Sequence, residues 1–271
     1  ASSNELKREI NLIEAITIVI GMVIGSGIFF KATAVFKNTD TPLLGIMAWV
    51  VGGLITVASA LTVAEVGAAI PKTGGMFVYI KELYGEKWAF LFGWMQTMIY
   101  LPGSVAALAI VFATQASYFI PSMTSVKQKI LAVFMLLFVM GINILSTKLG
   151  SKVQVWSTFG KLIPIFLIIV YGLLNGTAHD FTAIGAAGAS EGAAGFGTAV
   201  LATLWAYDGW ISVGNMAGEL KNPKSDLPKA IIMGLSLVVA VYILINAAII
   251  NVIPVSKVIA SVKPASDAAV T

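Results

Sequence analysis

Cysteine is absent from the 271 residues, which excludes disulfides and thiolate metal sites built from this chain. Histidine occurs once, as His179 beside Asp180 in a polar connection, so no histidine-based metal or catalytic cluster can form. Charge is scarce too: 11% of residues are charged and 58% are apolar, whereas a soluble domain carries roughly 25% charged residues. With a mean hydropathy of +0.92 the chain reads as an integral membrane protein. A net charge of +4 and a pI near 9.2 would point to nucleic acid in a soluble protein. Here basic loops facing an anionic leaflet account for them, and no nucleic acid partner is expected. Nothing in the composition calls for a cofactor. Ala1-Ser2-Ser3 looks like a processing remnant, and the first apolar segment is too long for a cleavable signal peptide and lacks its small-residue site.

What is abundant is apolar sequence in long runs. Seven spans are predicted, each measured against the roughly 20 residues a spanning helix needs. They run from Leu12 to Val35, Leu43 to Ile70, Trp88 to Ile120, Ile130 to Leu145, Val153 to Leu174, Phe196 to Gly218 and Lys229 to Ile253, the fourth being short for a span. Phe77 to Gly85 reads as an interfacial helix after the turn Pro71 to Gly75, and Pro102-Gly103 predicts a kink in the third span. Asn175 to Gly195 is a Gly/Ala-rich loop, Glu219 to Pro228 a charged one, and Ser266 to Val270 the approach to an eighth span. With the N-terminus cytoplasmic, Lys7, Arg8, Lys72, Lys81, Lys87, Lys148, Lys152, Lys221, Lys224 and Lys229 lie inside. Lys31, Lys37, Lys127, Lys129, Lys257 and Lys263 then lie outside, a bias that favours this orientation.

Two spans contain material unsuited to a continuous helix. Ile20 to Phe29 holds Gly21, Gly25, Ser26 and Gly27. In lipid an opened helix is tolerated where its freed backbone lines a cavity and binds something. The competing reading is a small-residue packing face, since Gly21 and Gly25 form a G-x-x-x-G. The sixth span carries Trp205-Ala206-Tyr207-Asp208-Gly209-Trp210. An intramembrane carboxylate is costly and marks a functional site unless the span is short enough to leave Asp208 at its mouth. The breaks in spans one and six lie five spans apart, an odd number, so a five-span repeat must be inverted. Paired interruptions of this kind point to a transporter site. Gln96, Gln115 and Asn143 read as interhelical hydrogen-bond partners.

The wording of these segments resembles a known superfamily. Gly25-Ser26-Gly27-Ile28-Phe29 is similar to the first-span signature of the amino acid–polyamine–organocation superfamily. Glu65-Val66-Gly67 with Ile70 to Gly75, Ala206 to Trp210, Gly218 to Pro223 and Asp226 to Ala230 follow in the matching order. The L-type amino acid transporter branch, and its bacterial alanine–serine–cysteine-type exchangers, is the nearest in wording. The resemblance implies an all-α membrane fold with the leucine-transporter-like inverted five-helix repeat. Residues 1–174 would be the first repeat, 175–195 an extracellular connection, and 196–271 the start of a second repeat that is incomplete here.

It also implies a site. Gly25, Ser26 and Gly27 would present N–H groups at the positive end of a half-helix to a substrate carboxylate. Carbonyls of Val23, Trp205, Ala206 and Asp208 would take the ammonium. Trp205 either gates the pocket or merely packs, and Tyr242 either faces substrate or is an ordinary buried tyrosine. Lys161, about 12 Å into the fifth span, resembles the lysine that stands in for sodium in sodium-independent members; a shifted boundary or a snorkelling stem would be the plainer account. The expected activity is sodium-independent exchange of small neutral L-amino acids such as alanine, serine and cysteine, by alternating access in the plasma membrane. A proton-coupled or broader-specificity transporter and, more distantly, a seven-helix receptor remain alternatives. No clustered Ser/His/Asp or metal set supports an enzyme. No disulfide-linked partner is possible through this chain, and a monomer is expected.

Overall fold

The computed structural model describes residues 10–39, 41–70, 72, 74–117, 119–120, 122–145, 147–177, 192–211 and 220–270. Backbone alone is described for Leu145 and for 147–155. The charged lead-in Glu5 to Glu9, His179 and Gly218-Glu219 lie outside the described residues. The described chain is helical throughout, with one isolated parallel pairing between Ile10 and Leu220. Its compact units are Ala1–Gly85 with Ile165–Thr271, and Glu86–Pro164.

In the first unit α1 (Leu12–Val23) starts on a reciprocal cap. Asn11 Oδ1 accepts from the Glu14 N–H at 3.0 Å and Glu14 Oε2 accepts from the Asn11 N–H at 2.8 Å. The helix stops at Val23, and α2 (Gly27–Lys37) resumes after three residues at an angle of 54°. Then comes α3 (Pro42–Ala69), with Pro42 in its first turn and the Thr41 hydroxyl accepting from the Leu44 N–H at 3.2 Å. Its buried stripe is mostly small residues, among them Gly45, Ala48, Gly52, Gly53 and Ala60, with Trp49 the one large side chain. A Cβ at Gly53 would come within 2.7 Å of Val239, and one at Gly52 would overlap Thr203. That stripe lets α9 (Gly192–Ala206) and α10 (Pro223–Val252) pack directly on the α3 backbone. The short α4 (Gly75–Tyr84) is tied back by a 2.6 Å ion pair from Lys72 to Glu82, whose hydrogen bond holds the exposed Glu82 carboxyl below its usual range. Beyond α10, α11 (Val255–Ala260) and α12 (Pro264–Val270) lie against α2. The Thr33 hydroxyl reaches the carbonyls of Val258 and Ser261 at 3.1 and 2.6 Å.

The second unit holds α5 (Glu86–Met95), α6 (Leu101–Ala116), α7 (Ser125–Leu145) and the first part of α8 (Thr147–Asn175). α6 and α7 meet through Ala109, Ala113 and Ala132. The kink expected at Pro102-Gly103 takes another form. A π-helical turn, Gln96–Tyr100, joins α5 to α6, and Pro102 falls in the first turn after it. Proline offers no N–H to the carbonyl four residues back and its ring crowds that position, so widening the preceding turn relieves both.

Several boundaries differ from those read in the sequence. α7 begins five residues before Ile130 and is no longer short for a span. α10 begins at Pro223 rather than Lys229: Pro223 presets the first turn and Asp226 suits its positive end, so the charged stretch is helix from Pro223 on. Among the described residues five helices are long and apolar enough to span, or six with the bent α1–α2 pair. The expected sixth span is represented by the 15-residue α9, whose continuation falls on 212–219, outside the described residues.

Candidate functional site

The break in the first span comprises Ile24, Gly25 and Ser26. Ile24 turns the chain out of the helix (φ −68°, ψ 92°), and Gly27 already starts α2. A Cβ at Gly25 would meet nothing closer than the Val23 oxygen at 3.8 Å. Gly25 is therefore no packing contact, and the G-x-x-x-G reading fails at this position. The first two N–H groups of α2, of Gly27 and Ile28, have no intrahelical acceptors, whereas the Phe29 N–H donates to the Ser26 carbonyl at 3.0 Å. Beside them Ser26 Oγ is buried without a hydrogen-bond partner among the described residues.

The second break follows Ala206, the last residue of α9, where Tyr207-Asp208-Gly209 form a turn with Gly209 at φ +114°. The two breaks lie against each other. A Cβ on Gly209 would approach the Met22 oxygen to 2.6 Å, and a Cβ on Gly27 would lie 2.9 Å from Ala206 Cα. Glycine at 209 thus meets two needs at once, a backbone turn that L side chains rarely adopt and a neighbour with no room for a side chain.

Tyr242, on α10 and fully buried, completes the junction. Its hydroxyl lies 3.0 Å from the Val23 carbonyl and 3.1 Å from the Ala206 carbonyl, the last helical carbonyls of α1 and α9. Two of the four carbonyls expected to face an ammonium, those of Val23 and Ala206, are already in contact with a phenol, each with a second lone pair to spare. The Trp205 carbonyl accepts from the Asp208 N–H at 3.3 Å within the turn. The ring of Tyr242 stacks on Tyr207 at 5.0 Å, and Trp49 meets both edge-on at 5.5 and 5.8 Å. The Tyr207 hydroxyl is anchored on the Trp49 carbonyl at 3.0 Å. Trp205 stands at the other side of the first break, its Cζ3 3.3 Å from the position of a Gly27 Cβ.

Val23, Gly25, Ser26, Gly27, Trp205, Ala206, Asp208 and Tyr242 all belong to the first unit and lie at or beside the two touching breaks. Lys161 is half-buried on α8 within the second unit, one turn before Pro164. Sequence reasoning missed Trp49 and Tyr207, whose signal was no more than aromatic residues in apolar spans. Lys31, read as an outer-side charge within the first span, was given no partner there. Lys31 is in α2, with Nζ 4.4 Å from the Trp205 ring centroid.

Residues 10–269 match the family model described as amino acid permease. The chain is 44% identical over 269 residues to the serine/threonine exchanger SteT of Bacillus subtilis (strain 168), covering 99% of this chain and 60% of the relative. It is 35% identical over 266 residues to the human b(0,+)-type amino acid transporter 1, covering 96% of this chain and 54% of the relative. Against the human large neutral amino acids transporter small subunit 2 it is 32% identical over 264 residues, 94% of this chain and 49% of the relative. The chain thus spans about half to three-fifths of the length of these relatives.

Proposed function

This chain belongs to the amino acid permease family, and on that premise we propose that the whole protein is a secondary transporter exchanging small neutral L-amino acids by alternating access. The carrying observation is the meeting of two interrupted helices at one point, with α2 N–H groups and an unpartnered Ser26 hydroxyl on one side and the carbonyl ends of α1 and α9 on the other. A zwitterion has the complementary charges: its carboxylate suits the positive start of α2, its ammonium the carbonyl ends. Gly25, Ser26 and Gly27 hold the carboxylate; Val23, Ala206, Trp205 and Asp208 supply the oxygen side, with Tyr242 shared between the two ends. Trp205 acts as the cover over the substrate side chain. The similarity to a Bacillus serine/threonine exchanger supports a small neutral substrate.

The seven-helix receptor reading is dropped, because the family is one of permeases and the breaks have no role in it. The protein is a multi-pass membrane protein; we place it in the plasma membrane with the N-terminus cytoplasmic, on the lysine bias. Residues 1–174 form the first repeat and 196–271 begin the second. Exchange needs no sodium, with Lys161 in its place, and a monomer suffices. Counter-flow in proteoliposomes tests the activity. Internal alanine or serine should accelerate uptake of labelled serine by the full-length protein, and uptake indifferent to internal amino acid would refute exchange.

A further inference from the structure

Lys31 has no part in the site just proposed. It stands on α2 four residues past Gly27, half-buried, and among the described residues no carboxylate pairs with it. Its ammonium lies 4.4 Å from the centroid of Trp205 and 5.7 Å from that of Phe30, and these two rings meet edge-on at 5.5 Å. A cation this close to an indole is held by the ring quadrupole. The same indole reaches the first break, where its Cζ3 closes on Gly27. One ring therefore connects the broken backbone to a fixed positive charge.

We propose that Lys31 is a specificity-determining residue whose ammonium, held on Trp205 beside the two breaks, rejects amino acids with cationic side chains. The inference rests on the amino acid reading above and names the class the site refuses. Every α-amino acid offers the breaks the same zwitterionic end, so selection among them falls to what the side chain meets. A lysine or arginine side chain is long enough to pass the breaks and carry its charge to the Trp205 ring, the natural partner for a guanidinium. Lys31 already occupies that partner. Two unit charges ~6 Å apart in partly screened surroundings disfavour the second by a factor of roughly one hundred, and solvent and salt reduce this to about tenfold. Neutral side chains meet the lysine stem and the ring without that penalty. Selectivity then comes from a repulsive element rather than from an added contact.

The test is a ratio, which cancels any general loss of folding or turnover. In proteoliposomes carrying the full-length protein, inhibition of labelled serine exchange by arginine and by unlabelled serine is compared for the wild type, Lys31→Gln and Lys31→Arg. Lys31→Gln should lower the arginine-to-serine ratio of half-inhibitory concentrations at least about tenfold, and Lys31→Arg should keep the wild-type ratio. If either variant exchanges too slowly, the ratio is read from ligand-induced shifts in melting temperature of the purified protein. A ratio in Lys31→Gln within twofold of wild type, or a wild type that takes arginine as well as serine, overturns the role of Lys31 and leaves amino acid exchange standing. A wild type that neither binds nor exchanges serine or alanine overturns the parent reading and this one with it.

Discussion

The Tyr242 hydroxyl sits 3.0 Å from the Val23 carbonyl oxygen, at the point where the first span stops being a helix. The Ala206 carbonyl is 3.1 Å from the same hydroxyl. One phenol on an unbroken helix thereby touches the ends of two broken ones. Its proton satisfies, wholly or in part, two buried carbonyls that lost their partners when α1 and α9 ended. An amino acid ammonium brings the same commodity, N–H donors, to the same oxygens. On the proposed function, protein and ligand would share or exchange those contacts.

Tyr242→Phe should therefore separate stability from transport. Leaving the carbonyls without the hydroxyl costs about 1–3 kcal/mol where water is excluded. The ring stack on Tyr207 and the edge contact with Trp49 survive, because phenylalanine keeps the ring. The melting temperature of the full-length protein should fall by a few degrees while serine exchange falls about tenfold or more. Wild-type exchange in this variant would show that the hydroxyl is only a packing detail.

Gly25 and Gly27 should behave differently despite lying two residues apart. A Cβ at Gly25 enters open space, whereas one at Gly27 comes within 2.9 Å of Ala206 Cα and 3.0 Å of its Cβ. Gly27→Ala should force α2 and α9 apart and lower both melting temperature and exchange. Gly25→Ala should leave the melting temperature near wild type and raise the serine KM, because the added methyl would stand in the proposed path of the substrate. Equal loss of stability in the two variants would contradict this account of the breaks.

How much of this was legible beforehand depends on the kind of fact. Glycine and serine at 25–27, and Asp208-Gly209 in an apolar run, mark interruptions because chain stiffness is a local property. Helix starts were harder. α10 reaches back to Pro223 because proline and an early acid favour a first turn, although hydropathy there reads as loop. Partners were not legible at all. Whether Lys31 faces lipid headgroups or the indole of Trp205 depends on a neighbour 174 positions away in number, and the anchoring of Tyr207 on Trp49 on one 158 positions away. The glycines of α3 show the same limit, since only the approach of Thr203 and Val239 reveals why no side chain is allowed at 52 and 53.

Gly209→Ala is expected to be the most damaging single methyl in the second break. The backbone there has φ +114°, a region that costs a non-glycine residue about 1–3 kcal/mol. The added carbon would also press on the Met22 carbonyl at 2.6 Å, which belongs to the end of α1. The two costs fall on the same contact, so relief of one worsens the other. A drop in melting temperature larger than that of Gly25→Ala, together with loss of exchange, is the expected result. Thermal unfolding of purified Gly209→Ala within a degree of wild type would contradict it.

The last prediction concerns the ion requirement. Lys161 lies on α8 one turn before Pro164, which removes a backbone N–H from the helix and leaves the carbonyl of residue 160 without its usual donor. A half-buried ammonium beside a loosened helix turn can bond to backbone oxygens, and on the proposed function its fixed charge would make a bound sodium redundant. Serine exchange should therefore be unchanged when choline replaces sodium. Lys161→Ala should lose exchange, at least about tenfold, with its melting temperature within a few degrees of wild type. Lys161→Arg retains the charge but not the compact head group, and should restore only part of the rate. If exchange collapses in choline, and Lys161→Ala matches the wild type in sodium, a lysine in place of the ion is the wrong account.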